Sequence, residues 1–119
     1  MFDIIFFRDD NGRCPVEEFL WSLRKNNLKL FEKTLRSIQL LKENGNRLSM
    51  PFSEYLRDGI FELRTIQGNN TTRLLYFFDL DKIIIVTNGF EKKTQKTPDK
   101  ELAKAIRAKQ EYERRRRNG

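Results

Sequence analysis

Apolar positions along this chain fall into tight runs and periodic stripes, and the switches between them predict the order of elements. Phe2 to Phe7 (FDIIFF) is a run of aromatic and branched residues ending at the turn-prone RDDNG, which reads as a strand. Pro15 suits the first position of a helix, with Glu17 and Glu18 in the first turn, where the helix dipole favours anions. Cys14 takes the cap position, where Ser or Thr would be stronger. This helix is expected to run to about Lys25, with Phe19, Leu20 and Leu23 facing inward. Phe31, Leu35, Ile38 and Leu41 then form one apolar stripe, predicting a second helix from about Leu28 to the stop at Asn44-Gly45-Asn46. Asn26-Asn27 between the two makes an antiparallel helical hairpin that can cover one face of a sheet.

Ser49-Met50-Pro51 breaks the chain before a short extended piece near Tyr55 to Arg57, and Asp58-Gly59 is a turn. Three strand runs follow: IFELRTI from Ile60, TTRLLYFF after the QGNN loop, and KIIIVTN after Asp79-Leu80-Asp81. The last connection is short enough to force an antiparallel pair. Thr97-Pro98 is expected to open a final helix as cap and first residue, carrying Leu102, Ala105 and Ile106 on a narrow apolar edge. That edge fades by Lys109, so residues 113–119 are expected to be a frayed basic tail. The order β-α-α-β-β-β-α describes one small α+β domain, residues 1–119, with an antiparallel-rich sheet.

Charge changes the picture. The net +7 is unevenly placed, because residues 1–91 hold 13 Lys and Arg against 13 acids, whereas the remainder holds 11 against 4. The whole excess lies in the lysine-rich loop after the last strand and in the C-terminal segment, which favours nucleic acid or an acidic protein as partner. Histidine is absent and Cys14 is the single cysteine. That removes the commonest general base, an ordinary zinc cluster and an internal disulfide, and it fits a reducing, cytoplasmic setting. No apolar run approaches the roughly 20 residues that span a bilayer. No cofactor or metal is expected.

Cations also sit inside the strands. Alternation puts Glu62 and Arg64 on one side of IFELRTI, and Arg73, Leu75 and Phe77 on one side of the next strand. Arg64 and Arg73 share a face if Ile66 pairs with Thr71, and lie on opposite faces if Ile66 pairs with Thr72; both registers remain open. Burying an unpaired charge costs several kcal/mol. Strand arginines beside Lys92, Lys93 and Lys96 therefore suggest a shallow polyanion-binding concavity, although an ion pair of Arg64 with Glu62 on a solvated face explains Arg64 as well.

The strings LRDGIFELR, TRLLYFF and TNGFEKKTQKTPDKELAKA together resemble the HigB-type branch of the RelE/ParE toxin superfamily. NGRCPVEEFLWSL extends the likeness over residues 1–112. The resemblance implies a toxin of a type II toxin–antitoxin pair that enters the ribosomal decoding site and cuts messenger RNA. A ribose 2′-hydroxyl would attack the adjacent phosphate, leaving a cyclic phosphate and a 5′-hydroxyl. By position, Arg73 matches the arginine on the scissile phosphate, Arg64 the basic residue of the ELR motif, and Lys93 a basic residue that contacts phosphate or aids the leaving group. Glu62 is the available proton acceptor. Lys92, Lys96, Asn88, Phe90 and Arg57 complete the implied RNA surface. Asn88 stands where the branch often has His before GF, so imidazole chemistry is unavailable. The resemblance also implies a helix-turn-helix antitoxin and operator DNA bound through the complex. Two other readings share the fold: a ParE-like gyrase inhibitor and a noncatalytic nucleic-acid- or protein-binding module.

Overall fold

The computed structural model describes residues 1–92 and 96–119. In chain order the elements are β1 (Asp3–Phe6), α1 (Pro15–Asn26), α2 (Leu28–Asn44), a 3-10 turn (Gly45–Arg47), β2 (Ser53–Arg57), β3 (Ile60–Gln67), β4 (Asn70–Asp79), β5 (Ile83–Glu91) and α3 (Asp99–Asn118). The expected α+β order holds. The strands form one mixed sheet, β1-β5-β4-β3-β2, in which β1 runs parallel to β5 and the other pairs are antiparallel.

Both sheet faces are covered, as alternation requires when every second residue of a strand is apolar on each side. Leu63, Leu74, Tyr76, Ile84 and Val86 face the α1–α2 hairpin and pack with Val16, Leu20 and Leu41. Ile60, Leu75, Phe77 and Ile85 face α3, against Leu102, Ala105 and Ala108. Burying each large side chain of this kind stabilises the fold by about 2 kcal/mol. Two details set the register. The β3–β4 hairpin turns at Gly68-Asn69, where Gly68 has φ +61°, so Gln67 pairs with Asn70 and the strands run further than the QGNN loop implied. Between β4 and β5, Leu75 pairs with Asn88 but Tyr76 pairs with Val86, leaving Thr87 as a bulge. The bulge resets alternation and brings Asn88 and Phe90 to the α3 side. Gly89 is required beside it, because a Cβ there would lie 2.5 Å from Leu74 Cδ2 and 2.7 Å from Phe19 Cδ2.

Three expectations need correction. The buried stripe of α2 is Leu30, Thr34 and Leu41, with Phe31 and Ile38 half-buried, while Leu35 is 42% exposed. The stripe is rotated because Thr34 is satisfied in the core: its hydroxyl donates to Leu30 O at 2.8 Å and meets the Thr72 hydroxyl at 2.9 Å. The last helix begins at Asp99 with Pro98 in the cap position, and Thr97 uses its hydroxyl on Glu62 instead of on a cap. Finally, α3 continues through Asn118 instead of fraying. Tyr112 packs edge-on against Phe77 at 5.6 Å and donates to the Asp79 carboxylate, which also pairs with Arg116. Arg115 donates to Arg8 O and to Asp10 Oδ1, at 2.8 and 2.9 Å, and lies 5.0 Å over the Phe7 ring. Polar anchors thus replace the apolar edge that ends near Lys109. Among the described residues, no helix is long and apolar enough to cross a membrane.

Asp79→Ala should lower stability by about 1–3 kcal/mol, since it strips two donors of their acceptor. Hydrogen exchange would show the loss concentrated in residues 110–117 if the anchor acts as described. Burial, with Asp79 beside it, raises the Tyr112 phenol to about 12. A pKa raised on folding means that its contribution is complete below the unfolded value near 10 and disappears as pH climbs toward 12. Alkaline unfolding followed at fixed temperature should therefore be shallower over that window in Tyr112→Phe.

Candidate functional site

The β3–β4 register places Arg64 directly opposite Arg73, with Ile66 opposite Thr71, so the two cations share the α3 face. Phe90 continues this row on β5, and the neighbouring row reads Glu54, Glu62, Leu75, Asn88 from β2 to β5. Two guanidinium groups facing each other across a strand pair repel. The neighbouring carboxylate offsets that repulsion: Glu62 Oε1 accepts from Arg64 Nε at 3.3 Å and lies 3.6 Å from Arg73 Nε. Its Oε2 accepts the Thr97 hydroxyl. Glu62 is fully buried, so a residue expected as proton acceptor is committed to holding cations in place.

Arg64 is held from three sides, by Glu62, by the Glu54 carboxylate and by Met50, whose sulfur lies 3.1 Å from Nη1. Arg73 is held much less well. Its side chain is buried, and Nε and Nη1 have no hydrogen-bond partner among the described residues. Burial pushes its guanidinium below the usual arginine range and Arg64 adds to this, while Glu62 opposes both. Burial likewise holds the Lys92 ammonium below its ordinary range, with Glu62 opposing and Arg73 and Arg64 reinforcing. Lys92 thus belongs to the same electrostatic cluster.

A cavity of about 430 Å³ opens beside this cluster, lined by Arg57, Arg64, Lys92, Lys96, Glu54 and Glu62 among others. Arg57 reaches it while pairing with Asp58 at 2.7 Å, and Lys96 while pairing with Asp99 at 3.7 Å. Arg73 stands one strand behind the Arg64 wall. Lys93 lies outside the described residues. Two expected site residues are placed elsewhere. Asn88 is buried and donates to Glu101 O and Oε1, at 3.2 and 3.1 Å, while its own carbonyl accepts from Thr87. It pins α3 to β5 and lines a separate cavity of about 710 Å³. Phe90 is half-buried against the α3-side core, where it supports Arg73 from the next strand. Sequence reasoning missed Glu54, Met50 and Thr97. Alternation from Glu62 would have found Glu54 only with the β2–β3 pairing in hand. Among the described residues, no group of three His, Cys, Asp or Glu side chains is arranged to hold a metal ion.

Residues 20–110 match the family described as Phage derived protein Gp49-like (DUF891). The chain belongs to this Gp49-like family. The match spans α2, all of β2 to β5 and Arg57, Arg64, Arg73, Lys92 and Lys96. No curated protein matches the sequence. Solved structures similar to this Gp49-like chain include one in the crystal structure of the heterotetrameric YoeB–YefM toxin–antitoxin complex from Staphylococcus aureus. The match has a TM-score of 0.51 at 20% identity, over 74% of this chain and 93% of that one. At that identity the likeness is one of fold.

Removing the shared carboxylate should expose the tension in this cluster. Glu62→Gln should cost about 3 kcal/mol in urea unfolding, because it leaves the buried Arg73 facing Arg64 with no carboxylate of its own. Arg73→Ala should stay within about 1 kcal/mol of the parent, because the cost of burying a poorly bonded guanidinium goes with it. Equal losses in the two variants would contradict this assignment of Glu62 and Arg73.

Proposed function

We propose that this Gp49-like chain is the toxin of a type II toxin–antitoxin pair, of HigB type, and a ribosome-dependent endoribonuclease that cuts messenger RNA. The observation that carries the reading is Arg64 facing Arg73 across β3 and β4, with Lys92 in the same electrostatic cluster and a cation-lined cavity beside them. Arg73 is buried and, among the described residues, incompletely hydrogen-bonded, an arrangement that costs stability and that a phosphate would relieve by supplying acceptors.

Chemically, such a cluster suits transesterification. When a ribose 2′-hydroxyl attacks the neighbouring phosphorus, negative charge grows on the nonbridging oxygens of a pentacoordinate phosphate. In this reading Arg64 and Arg73 stabilise that charge, with Glu62 bonded to Arg64 and lying 3.6 Å from Arg73 Nε. Arginine suits the task because its planar fork matches two phosphate oxygens. Lys92 and Lys96, with Lys93 between them in sequence, supply cations for the leaving 5′-oxygen and for flanking phosphates. Glu62 and Thr97 are positioning residues: one orients both arginines, and the other ties the start of α3 to that carboxylate. The partners of this reading are a cognate helix-turn-helix antitoxin, the ribosome decoding site, and operator DNA bound through the toxin–antitoxin complex. The YoeB–YefM likeness supports the antitoxin.

Primer extension on a defined message in a purified translation system tests the proposal. Wild-type protein should cut in register with codons only when ribosomes are present, and Arg73→Ala should cut about 100-fold more slowly. Intact message under conditions where the protein still arrests growth would move the assignment to a gyrase-type or other noncleaving target.

A further inference from the structure

Three of the ten most exposed large apolar side chains fall within six residues, beside the cation cavity: Met50 at 59%, Phe52 at 48% and Tyr55 at 55%. All three are tied to the cavity. The Met50 sulfur touches Arg64 Nη1, Phe52 O accepts the Arg64 backbone N–H at 2.8 Å, and Tyr55 lines the cavity wall. The Tyr55 ring turns to the other sheet face, edge-on to Phe61 at 5.0 Å, with its hydroxyl accepting the Gly59 N–H at 3.1 Å. The Phe52 ring, by contrast, stacks on no other ring among the described residues. Phe52 lies in the turn just before β2, and the bond from the Arg64 N–H to its carbonyl sets it opposite Arg64 at the sheet edge.

Single-stranded RNA needs both kinds of surface, cations for its phosphates and aromatic faces for its bases. An exposed phenyl ring on the residue whose backbone bonds Arg64 offers the second where the first is already built. An acidic peptide would use the cations but gain little from an unpartnered ring at their edge. We propose that Phe52, beside Met50, is a base-stacking subsite that holds one nucleobase of single-stranded RNA adjoining the phosphate bound by the Arg64 and Arg73 cluster. The subsite rests on the cation cavity being an RNA site, and it adds a contact that discriminates bases from bare backbone. Phe52 lies at the sheet edge, so its ring can be changed without disturbing the core.

Titration of a short single-stranded oligoribonucleotide carrying 2-aminopurine, alongside an otherwise identical abasic oligonucleotide, tests the idea at low salt. Phe52→Leu should bind the base-containing strand about 10-fold more weakly, since one stacked base is worth roughly that much. It should bind the abasic strand as the parent does, and the slope of affinity against salt should not change, because no phosphate contact is lost. Phe52→Trp should restore affinity and the quenching of 2-aminopurine that stacking produces. Equal binding of both strands by parent and Phe52→Leu would overturn the subsite while leaving the cation cluster intact. Weakened binding of the antitoxin in Phe52→Leu with RNA binding unchanged would also overturn it. Failure of the parent protein to bind either strand would remove both the subsite and the RNA reading beneath it.

Discussion

One buried carboxylate organises this molecule's chemistry. Glu62 is inaccessible to solvent, lies against two guanidinium groups and accepts a hydroxyl from the segment leading into α3. A carboxylate so placed is tolerable only because positive charge surrounds it, and Arg73 is tolerable at its depth because the carboxylate is there. Without Glu62, Arg64 and Arg73 would face each other across a strand pair with nothing between them. Without the arginines, an ionised carboxylate would sit unpaired inside a sheet. The interaction therefore serves less to stabilise the fold than to fix where charge stands within it.

The two arginines do not share this support equally. Arg64 has two carboxylates and a thioether around it, whereas Arg73 has one distant carboxylate and two buried nitrogens without hydrogen bonds among the described residues. Structural ion pairs are normally arranged the other way, with the deeper group better satisfied. Retaining an underbonded cation at depth makes physical sense where an external anion supplies the missing acceptors, and strain of this kind clusters at functional sites.

Much of this was readable from residues alone, and the exceptions have physical causes. The strand runs were legible because branched and aromatic residues crowd together between turn residues. The odd placement of Glu62, Arg64 and Arg73 was legible because charges interrupt those runs. Register was not, because pairing Ile66 with Thr71 or with Thr72 differs by one residue in a loop and leaves composition unchanged; the turn at Gly68-Asn69 decides it. The bulge at Thr87, which brings Asn88 to the α3 side, leaves no mark in periodicity. Thr34 hid the true inward stripe of α2, since a threonine satisfied by Thr72 looks polar in sequence yet packs as core. The end of α3 was misjudged because its anchors, Asp79 and Asp10, are distant in sequence and polar.

The position of the cavity follows from how α3 divides one sheet face. The row of Ile60, Phe77 and Ile85 is apolar and lies in the core that α3 completes with Leu102, Ala105 and Ala108. One row further along β3, at Glu62, the same face turns charged, and the next row carries both arginines. Thr97 reaches that first charged residue just before the helix begins, so α3 starts at the boundary. Lys92, just after β5, and Lys96, just before α3, both line the cavity. Lys92 and Lys96 are therefore brought beside the strand arginines by the ends of β5 and α3. A helix displaced by one turn along the sheet would bury the arginines under apolar side chains or leave Phe77 open to water. The boundary between core and site is thus set by where α3 starts, and the Thr97–Glu62 hydrogen bond marks that start.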